Sequence, residues 1–258
     1  MDDAELVRAI EDNAAELLMA MGAAGGGVQR ESAEVRWTIG GSPIDYHNAV
    51  VAAALRAEDA DEVIAESLAE LRRFDVPGCW HVGPSMQPAD LGERLVAAGF
   101  TPGGREPGMA VRISELITPS VVPGLEITRV RDDEALRAWE ATLGRGFGEG
   151  VKEARWVASI YRHLGYGDPW RHYLGRLDDT PVATATVFLG AGVAGVYFVM
   201  TVPEARRRGI GAAITYSALH EAAAEYAVLG SSPAGRSVYA GLGFREYCAI
   251  ELYEWTPL

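Results

Sequence analysis

Residues 203–213 read Pro203-Glu204-Ala205-Arg206-Arg207-Arg208-Gly209-Ile210-Gly211-Ala212-Ala213, and this stretch decides the fold. An apolar, β-branched run precedes it and an alanine-rich run follows, so we expect a strand, a glycine-containing turn and a helix. The first N–H groups of such a helix are unpaired, and its dipole makes this end electropositive. Two glycines allow close approach to the backbone and three arginines add positive charge, which predicts a diphosphate-binding turn.

Two common phosphate-binding patterns do not fit this turn. A dinucleotide fingerprint needs G-x-G-x-x-G/A, but Ile214 stands three residues after Gly211. A Walker loop needs a lysine after the second glycine, and none is present. What remains is Gln/Arg-x-x-Gly-x-Gly/Ala, with Arg206, Gly209 and Gly211 in register. This pattern closely resembles the acetyl-CoA pyrophosphate loop of the GNAT N-acetyltransferase superfamily, and an ordinary tight turn is the alternative interpretation.

A second motif follows at the spacing that this family requires. Residues 226–232 predict a buried strand, and Tyr239-Ala240-Gly241-Leu242-Gly243-Phe244 is similar to the family's Y-x-x-L-G-F segment. The resemblance runs from about Gly124 to the C-terminus and implies that Tyr239 protonates the departing thiolate of coenzyme A. Its reference pKa of about 10 would keep the phenol protonated at neutral pH. A core aromatic residue beside Phe244 is the alternative.

The resemblance also implies contacts with acetyl-CoA, the expected co-substrate. Val199, Met200 and Thr201 would pair with the pantetheine arm as an added strand, and a backbone N–H of Val199 or Met200 would face the thioester oxygen. Ser232 is either a cofactor contact or the cap of a short helix. The residues expected to anchor the pyrophosphate are Arg207, Arg208, Gly209, Ile210, Gly211 and Ala212.

The sequence does not identify the general base. The family often places a glutamate on the strand before the turn, but residues 196–201 contain no carboxylate. Glu149 and His172 are weak candidates, and Glu204 is better explained as part of the turn. Deprotonation of the amine by solvent or by an ordered water chain is as good an explanation.

Residues 118–124 (Thr-Pro-Ser-Val-Val-Pro-Gly) interrupt the pattern and predict a linker between domains 1–117 and 125–258. In each half we expect a mixed, mostly antiparallel sheet flanked by helices, an α/β (α+β) fold. The first half predicts strands at 34–39, 48–57, 79–82 and 109–113, and helices at 61–74 and 90–98. The second half predicts strands at 125–130, 170–177, 181–189, 193–202, 226–232 and 247–255, and helices at 133–147 and 152–164.

The two halves share an order of motifs. Residues 95–100 align with residues 239–244, which predicts two GNAT-like domains in tandem. The first is expected to be degenerate, because Leu95 occupies the tyrosine position and no Arg-x-x-Gly-x-Gly turn precedes a helix in residues 1–117. We expect this half to bind no coenzyme A, and to complete the substrate cleft or stabilise its neighbour by packing.

Composition limits the partners and the site chemistry. The 258 residues carry a net charge of −13, and residues 1–120 hold 20 acidic but only 9 basic residues. This acidic balance disfavours nucleic acid and anionic membranes as partners and suits a cationic amine as substrate. A role of the acidic residues in solubility alone is the simpler explanation. Two cysteines and five dispersed histidines predict neither a disulfide framework nor a metal site.

Two segments bear on location. The acidic start at residues 1–5 is unlike a signal peptide. The uncharged stretch from Val182 to Pro203 is long enough for a membrane span, but its central glycines predict two strands joined by a turn. We therefore expect a cytoplasmic protein.

Together these patterns predict an acetyl-CoA-dependent N-acetyltransferase that acts on the amine of a small molecule, as a monomer or homodimer. A catalytically silent coenzyme A-binding or protein-interaction module is the alternative. An acyl donor longer than acetyl would fit the same motifs. The resemblance places residues 165–170 beside the acceptor, but their sequence identifies no particular amine.

Overall fold

The chain folds into two units, and in each a helix joins two parallel strands of a mostly antiparallel sheet. The structure is a computed structural model that describes residues 1–257. The first unit contains Met1–Gly108 and the residues from Tyr247 onward, and the second contains Met109–Glu246. The expected mixed sheet flanked by helices is thereby confirmed. The assignment of residues 1–117 and 125–258 to two related domains stays a prediction.

In the sheet of the first unit, β3 (Ala49–Ala53) and β4 (Gly78–Val82) lie side by side and parallel. The antiparallel pairs are β1 (Val28–Glu31) with β2 (Val35–Ile39), β2 with β3, and β4 with β11 (Arg245–Trp255). Helix α2 packs on this sheet through Val63, Ile64, Leu68 and Leu71, at helical spacing, against the fully buried Trp80. The elements up to the unit boundary in β5 are α1 (Asp3–Ala24), β1 (Val28–Glu31), β2 (Val35–Ile39), β3 (Ala49–Ala53), α2 (Ala60–Phe74), β4 (Gly78–Val82), α3 (Leu91–Ala97) and β5 (Thr101–Arg112).

Helix α1 was not predicted from the sequence, although its start carries a recognisable signal. Asp2 accepts a hydrogen bond from the N–H of Glu5 at 2.8 Å, and Glu5 accepts one from the N–H of Asp2 at 2.7 Å. This capping box satisfies two N–H groups at the helix terminus. The buried face of α1 includes Leu6, Ile10 and Leu17, so the helix belongs to the core of the first unit.

The second unit repeats the arrangement, with β6–β7, β7–β8 and β8–β9 antiparallel and β9–β10 parallel. Helix α6 connects the parallel pair, as α2 does in the first unit. The elements are β6 (Leu125–Arg129), α4 (Asp133–Leu143), α5 (Val151–Leu164), β7 (Trp170–Leu177), β8 (Thr180–Gly190), β9 (Val193–Thr201), α6 (Ile210–His220), β10 (Tyr226–Gly230), α7 (Arg236–Gly241) and β11 (Arg245–Trp255), in which the second unit boundary falls.

The uncharged stretch from Val182 to Pro203 forms the adjacent strands β8 and β9, joined by a turn at Ala191 and Gly192. Both turn residues have positive φ angles, which explains the glycine. Within residues 1–257, no helix combines the length and the hydropathy that a membrane span needs.

Several predicted boundaries were wrong. The strand expected at 48–57 ends at Ala53, and the helix expected at 133–147 ends at Leu143. The strand expected at 109–113 begins eight residues earlier, at Thr101, despite two prolines and three glycines in between. A side chain at Gly103 would lie 2.0 Å from Glu254 of β11, so this glycine permits the close approach of a neighbouring strand.

Candidate functional site

The predicted diphosphate-binding turn lies at the start of α6. Arg207 and Gly209 have φ angles of 61° and 79°, and this left-handed turn leads directly into the helix. The first bond of α6 runs from the N–H of Ala213 to the carbonyl of Gly209 at 3.0 Å. The six preceding N–H groups, of residues 207–212, donate to no acceptor within the described chain. Unpaired donors at the positive end of a helix suit an anionic ligand.

The charges around the turn are positive. Arg207 and Arg208 are exposed and form no ion pair with any residue that the structure describes. The Nε of Arg206 instead donates to the carbonyl of Thr201 at 3.1 Å, which ties the turn to the end of β9. The acid within the turn, Glu204, is occupied by an ion pair with Arg145. The turn therefore presents two uncompensated guanidinium groups to an anionic ligand.

Gly211 leaves open space at the helix terminus. A Cβ atom there would meet no heavy atom closer than Thr201 Oγ1, at 3.7 Å, and the residue does not have a positive φ angle. Neither protein packing nor backbone conformation therefore requires glycine. Close approach of a ligand to the N–H groups does explain it.

Strand β9 offers a free edge beside this turn. It pairs in parallel with β10 at Ala194–Ala227 and Gly195–Val228, and no ladder pair joins the two strands further along in the described residues. β9 continues for six residues beyond Gly195, to Thr201, so its edge is open to an extended ligand over the segment that contains Val199, Met200 and Thr201.

A β-bulge interrupts the opposite edge of β9. Thr184 of β8 pairs with Met200 and Thr186 pairs with Tyr197, so that Ala185 faces two residues, Phe198 and Val199. Phe198 has a φ angle of 51°, and its carbonyl accepts a hydrogen bond from Thr184 Oγ1 at 2.8 Å. A bulge bends its strand and changes the direction of the backbone groups. The two expected N–H donors, Val199 and Met200, lie at or beside this bulge.

Tyr239 lies on α7, half-buried, with its ring edge-on to that of Phe244 at a centroid distance of 5.9 Å. Burial raises the pKa of its hydroxyl above the usual value, so the phenol holds its proton at neutral pH. The hydroxyl forms no hydrogen bond with the described residues. This environment suits a proton donor, and the ring contact with Phe244 also gives Tyr239 a packing role.

Ser232 has a structural role in the turn before α7. Its Oγ accepts a hydrogen bond from the N–H of Gly235 at 3.2 Å, and its carbonyl accepts one from the N–H of Arg236 at 3.2 Å. These contacts stabilise the turn that leads into α7, whose N-cap residue is Gly235 rather than Ser232. A cofactor contact by Ser232 stays a prediction.

The two candidate bases have other partners. His172 is fully buried, stacked on Tyr161 at 3.8 Å, with Nδ1 3.1 Å from Thr186 Oγ1. Burial, with a smaller effect from the charge of Arg129, lowers the pKa of His172 to about 3. Glu149 is exposed and paired with Lys152 at 2.8 Å. Neither arrangement identifies a base that meets an acceptor amine.

An aromatic cluster surrounds His172 and was not predicted from the sequence. Trp139 and Tyr161 project from α4 and α5, and both contact Phe198 of the bulge, with ring centroids 6.1 and 5.9 Å apart. These aromatic residues are spread over distant elements, so no local periodicity reveals that they meet. They support the bulge from within the core.

The loop that the resemblance places beside the acceptor is held by charge. Asp168 forms two hydrogen bonds with Arg171, from Nε at 2.7 Å and from Nη2 at 2.8 Å, and a longer contact with Arg129 at 3.4 Å. The Arg171 guanidinium holds the pKa of Asp168 below its usual range. The hydroxyl of Tyr166 also bonds to Asp133. The loop is thus fixed by polar contacts rather than free.

In the first unit the equivalent strand edge is occupied by the chain itself. β3 and β4 pair at Ala49–Cys79 and Val50–Trp80, as β9 and β10 do at their corresponding ends. Beyond this point Gln87 donates to the carbonyl of Ala53 at 2.9 Å and accepts from the N–H of Leu55 at 3.2 Å. These bonds use backbone groups that an extended ligand would need.

The helix that follows β3 also carries the opposite charge. The start of α2 is surrounded by four acidic residues, Glu58, Asp59, Asp61 and Glu62, and the nearby Arg56 pairs with Asp59 at 2.7 Å and Glu58 at 3.2 Å. Carboxylates complement the helix dipole and would repel a diphosphate. The anion-binding features are therefore confined to the second of the two corresponding helices.

Comparisons with known proteins agree with this geometry. Residues 121–229 match the family model described as acetyltransferase (GNAT) domain. The curated proteins yield no match. Among solved structures, the chain is similar to a GCN5-related N-acetyltransferase from Kribbella flavida, with 23% identity and a TM-score of 0.69 over 95% of this chain and 96% of that one.

Two further solved structures extend the likeness. One is a functionally unknown conserved protein from Staphylococcus epidermidis, with 14% identity and a TM-score of 0.69 over 90% of this chain and 95% of that one. The other is a tandem GNAT protein from the clavulanic acid biosynthesis pathway, with 15% identity and a TM-score of 0.60 over 86% of this chain and 78% of that one. The expected GNAT fold is confirmed by these structures, and the matched segment, residues 121–229, is similar to a GNAT acetyltransferase domain.

Proposed function

We propose that the chain is an acetyl-CoA-dependent N-acetyltransferase that acetylates the amine of a small molecule. The observation that carries this proposal is the set of six unpaired N–H groups of residues 207–212 at the start of α6, next to Arg207 and Arg208. Coenzyme A carries a diphosphate, which is the ligand these donors and charges suit. The open edge of β9 suits its extended pantetheine arm.

Groups of this chain would supply two requirements of acyl transfer, a donor to the thioester oxygen and a proton for the departing sulfur. Bound acetyl-CoA would supply an acetyl group activated as a thioester. A backbone N–H of Val199 or Met200 would donate to the thioester oxygen, and one such donor contributes on the order of 3 kcal/mol to transition-state stabilisation. As the amine nitrogen bonds to the acetyl carbon and the C–S bond breaks, Tyr239 would give its proton to the departing sulfur, and the amine would lose its proton to solvent or to an ordered water chain.

We further infer that only the second unit binds coenzyme A. Two observations support this: Gln87 occupies the corresponding edge of β3, and four carboxylates surround the start of α2. Leu95 also stands where Tyr239 stands in the second half.

A direct test is thiol release from acetyl-CoA with a panel of amines, followed by a thiol-reactive chromophore. The panel should include polyamines and aminoglycosides, because the acidic chain suits cationic acceptors, and aromatic amines as neutral comparisons. The proposal predicts thiol release that depends on one class of amine and matches the amount of acetylated product. Tight coenzyme A binding with no turnover on any amine would contradict it.

That second outcome would support a silent coenzyme A-binding module. Two observations favour this alternative: β9 bears no carboxylate between residues 196 and 201, and His172 is enclosed in the core. The two functions share the cofactor site and differ in whether an amine is deprotonated next to it.

A further inference from the structure

Residues 117–122, most of which belong to the linker predicted at 118–124, lie against the helices of the second unit. We call them the strap. The N–H of Ile117 donates to the carbonyl of Leu242 at the end of α7, at 3.0 Å. Thr118 Oγ1 and the hydroxyl of Tyr216 on α6 are 3.1 Å apart. Val122 Cγ2 lies 3.6 Å from where a Cβ of Gly209 would stand. The strap therefore connects the end of α7 with the first turns of α6.

The length of the strap fits this path. Seven residues separate Gly209 from Tyr216, a distance of about 10 Å along a helix. Four extended residues from Thr118 to Val122 span at most about 14 Å. Pro119 restricts the backbone of the strap and of the residue before it, which favours an extended, stiff segment. The strap thus follows one face of α6 and reaches the anion-binding turn.

The strap presents apolar side chains to solvent. Val121 is 89% exposed and Ile117 is 55% exposed, and these are the largest exposed fractions among the large hydrophobic residues of the second unit. Val121 is next in sequence to Val122, whose Cγ2 lies 3.6 Å from the position that a Cβ of Gly209 would take, and the N–H of Gly209 is one of the six unpaired donors. An exposed apolar side chain beside a diphosphate site is well placed to pack against the rest of a nucleotide.

We propose that the strap binds the adenosine end of coenzyme A, with Val121 packing against the nucleoside once the diphosphate is held by residues 207–212. This inference rests on the proposed function. A stiff strap anchored at Ile117 and Thr118 loses little conformational freedom when the ligand binds, so more of the contact energy appears as affinity. Val121 would then be a binding residue that the family's motifs do not include.

The test is calorimetric titration of coenzyme A into the full chain with Val121→Ser. Because Val121 is exposed, the substitution removes few contacts from the folded protein. We expect the Kd for coenzyme A to rise about three- to tenfold, because serine would bury less apolar surface against the nucleoside than valine does. Val96→Ser is the matched control, since Val96 is 49% exposed on α3 in the first unit. The control should bind coenzyme A like the wild type.

Hydrogen exchange gives a second measurement. We expect coenzyme A to slow exchange of the strap amides in the wild type. Tyr216→Phe keeps the ring but removes the hydroxyl that lies next to Thr118. In this variant we expect the strap amides to exchange faster without ligand, and coenzyme A to slow their exchange less than in the wild type.

Each outcome has a separate meaning. If the wild type binds coenzyme A but Val121→Ser binds equally well or more tightly, the strap does not hold the nucleotide and this inference is wrong. Unchanged exchange of the strap at saturating coenzyme A would contradict it as well. If the wild type does not bind coenzyme A at all, the proposed function fails first.

Discussion

At the scale of single residues, the proposed function gives Gly211 a role in cofactor binding and Tyr239 a role in the chemistry. Gly211 keeps space free over unpaired N–H groups, and Tyr239 holds a proton in a partly apolar environment. Because the two residues lie on different helices and would have separate roles, substitution of Gly211 should change the Kd for coenzyme A, and substitution of Tyr239 should change kcat.

Gly211→Val should abolish measurable coenzyme A binding while leaving the fold intact. A branched side chain would fill the space above the N–H groups, and the loss of two charge-assisted hydrogen bonds raises Kd by more than about 100-fold. Calorimetric titration measures the loss, and the melting temperature checks the fold. Gly167→Val is a suitable control, because Gly167 also has open space and no positive φ angle. Normal binding by Gly211→Val would place the ligand elsewhere.

Tyr239→Phe should lower kcat by roughly 100-fold or more and leave the Kd for coenzyme A nearly unchanged. The raised pKa of the hydroxyl keeps it protonated at every pH below its usual value of about 10, so Tyr239 should cause no fall in kcat between pH 6 and pH 9. Steady-state kinetics and titration together check this. An equal loss of kcat and affinity would instead indicate that the tyrosine only supports packing against Phe244.

At the scale of elements, α2 and α6 occupy corresponding places between parallel strands but carry opposite charge. Exposed acids surround the start of α2, whereas Arg207 and Arg208 stand unpaired at the start of α6. The backbones of the two helix starts differ as well, since Gly209 has a φ angle of 79° and Asp59 one of −99°. Backbone turn and side-chain charge together make the start of α6 better suited to an anion than the start of α2.

Replacing both Arg207 and Arg208 by Gln should raise the Kd for coenzyme A about three- to tenfold at low salt. Exposed charges contribute only a few tenths to about 1 kcal/mol each, and salt screens them. The variant should therefore bind with a weaker dependence on salt, measured by titration between about 0.05 and 0.5 M NaCl. Replacing Arg131 and Arg155 by Gln removes the same charge elsewhere in the second unit and should preserve the wild-type dependence. An unchanged salt slope in the Arg207 and Arg208 variant would contradict the assignment.

The elements that could be predicted from the sequence are those marked by residues close together in the chain. The turn at 203–213 has its glycines and arginines in order, and the pair β8–β9 has a glycine turn between apolar runs. The bulge at Phe198 and the pairing of Gln87 with β3 were not predicted, because both depend on register with residues distant in sequence. Residues 118–124 are predicted to be a linker because Pro119 and Pro123 indicate loss of regular structure. The prolines do not indicate which helices the segment contacts.

At the scale of the whole molecule, one buried neutral histidine in each unit makes stability depend on pH. Burial lowers the pKa of both His81 and His172 to about 3, well below about 6.5 in the unfolded chain. Between these values the unfolded chain binds protons that the folded chain does not. The free energy of unfolding should therefore fall as the pH falls from about 6.5 towards 3, by up to about 1.4 kcal/mol per pH unit for each histidine.

Urea unfolding at several pH values between 7 and 4 checks this dependence. His81→Gln and His172→Gln, each compared with its own stability at pH 7, should show a shallower fall than the wild type, because Gln binds no proton. The double variant should be shallowest. A double variant with the wild-type slope would show that other groups cause the acid sensitivity.

The proposed acetyltransferase activity depends on binding of the coenzyme A diphosphate by the amides of residues 207–212. Amide chemical shifts of isotope-labelled protein, followed during a coenzyme A titration, test this most directly. We expect the signals of residues 207–212 to move and saturate at one coenzyme A per chain, while those of residues 60–62 at the start of α2 stay in place. Unmoved signals of residues 207–212 at saturation, or a second equivalent bound at α2, would contradict the account.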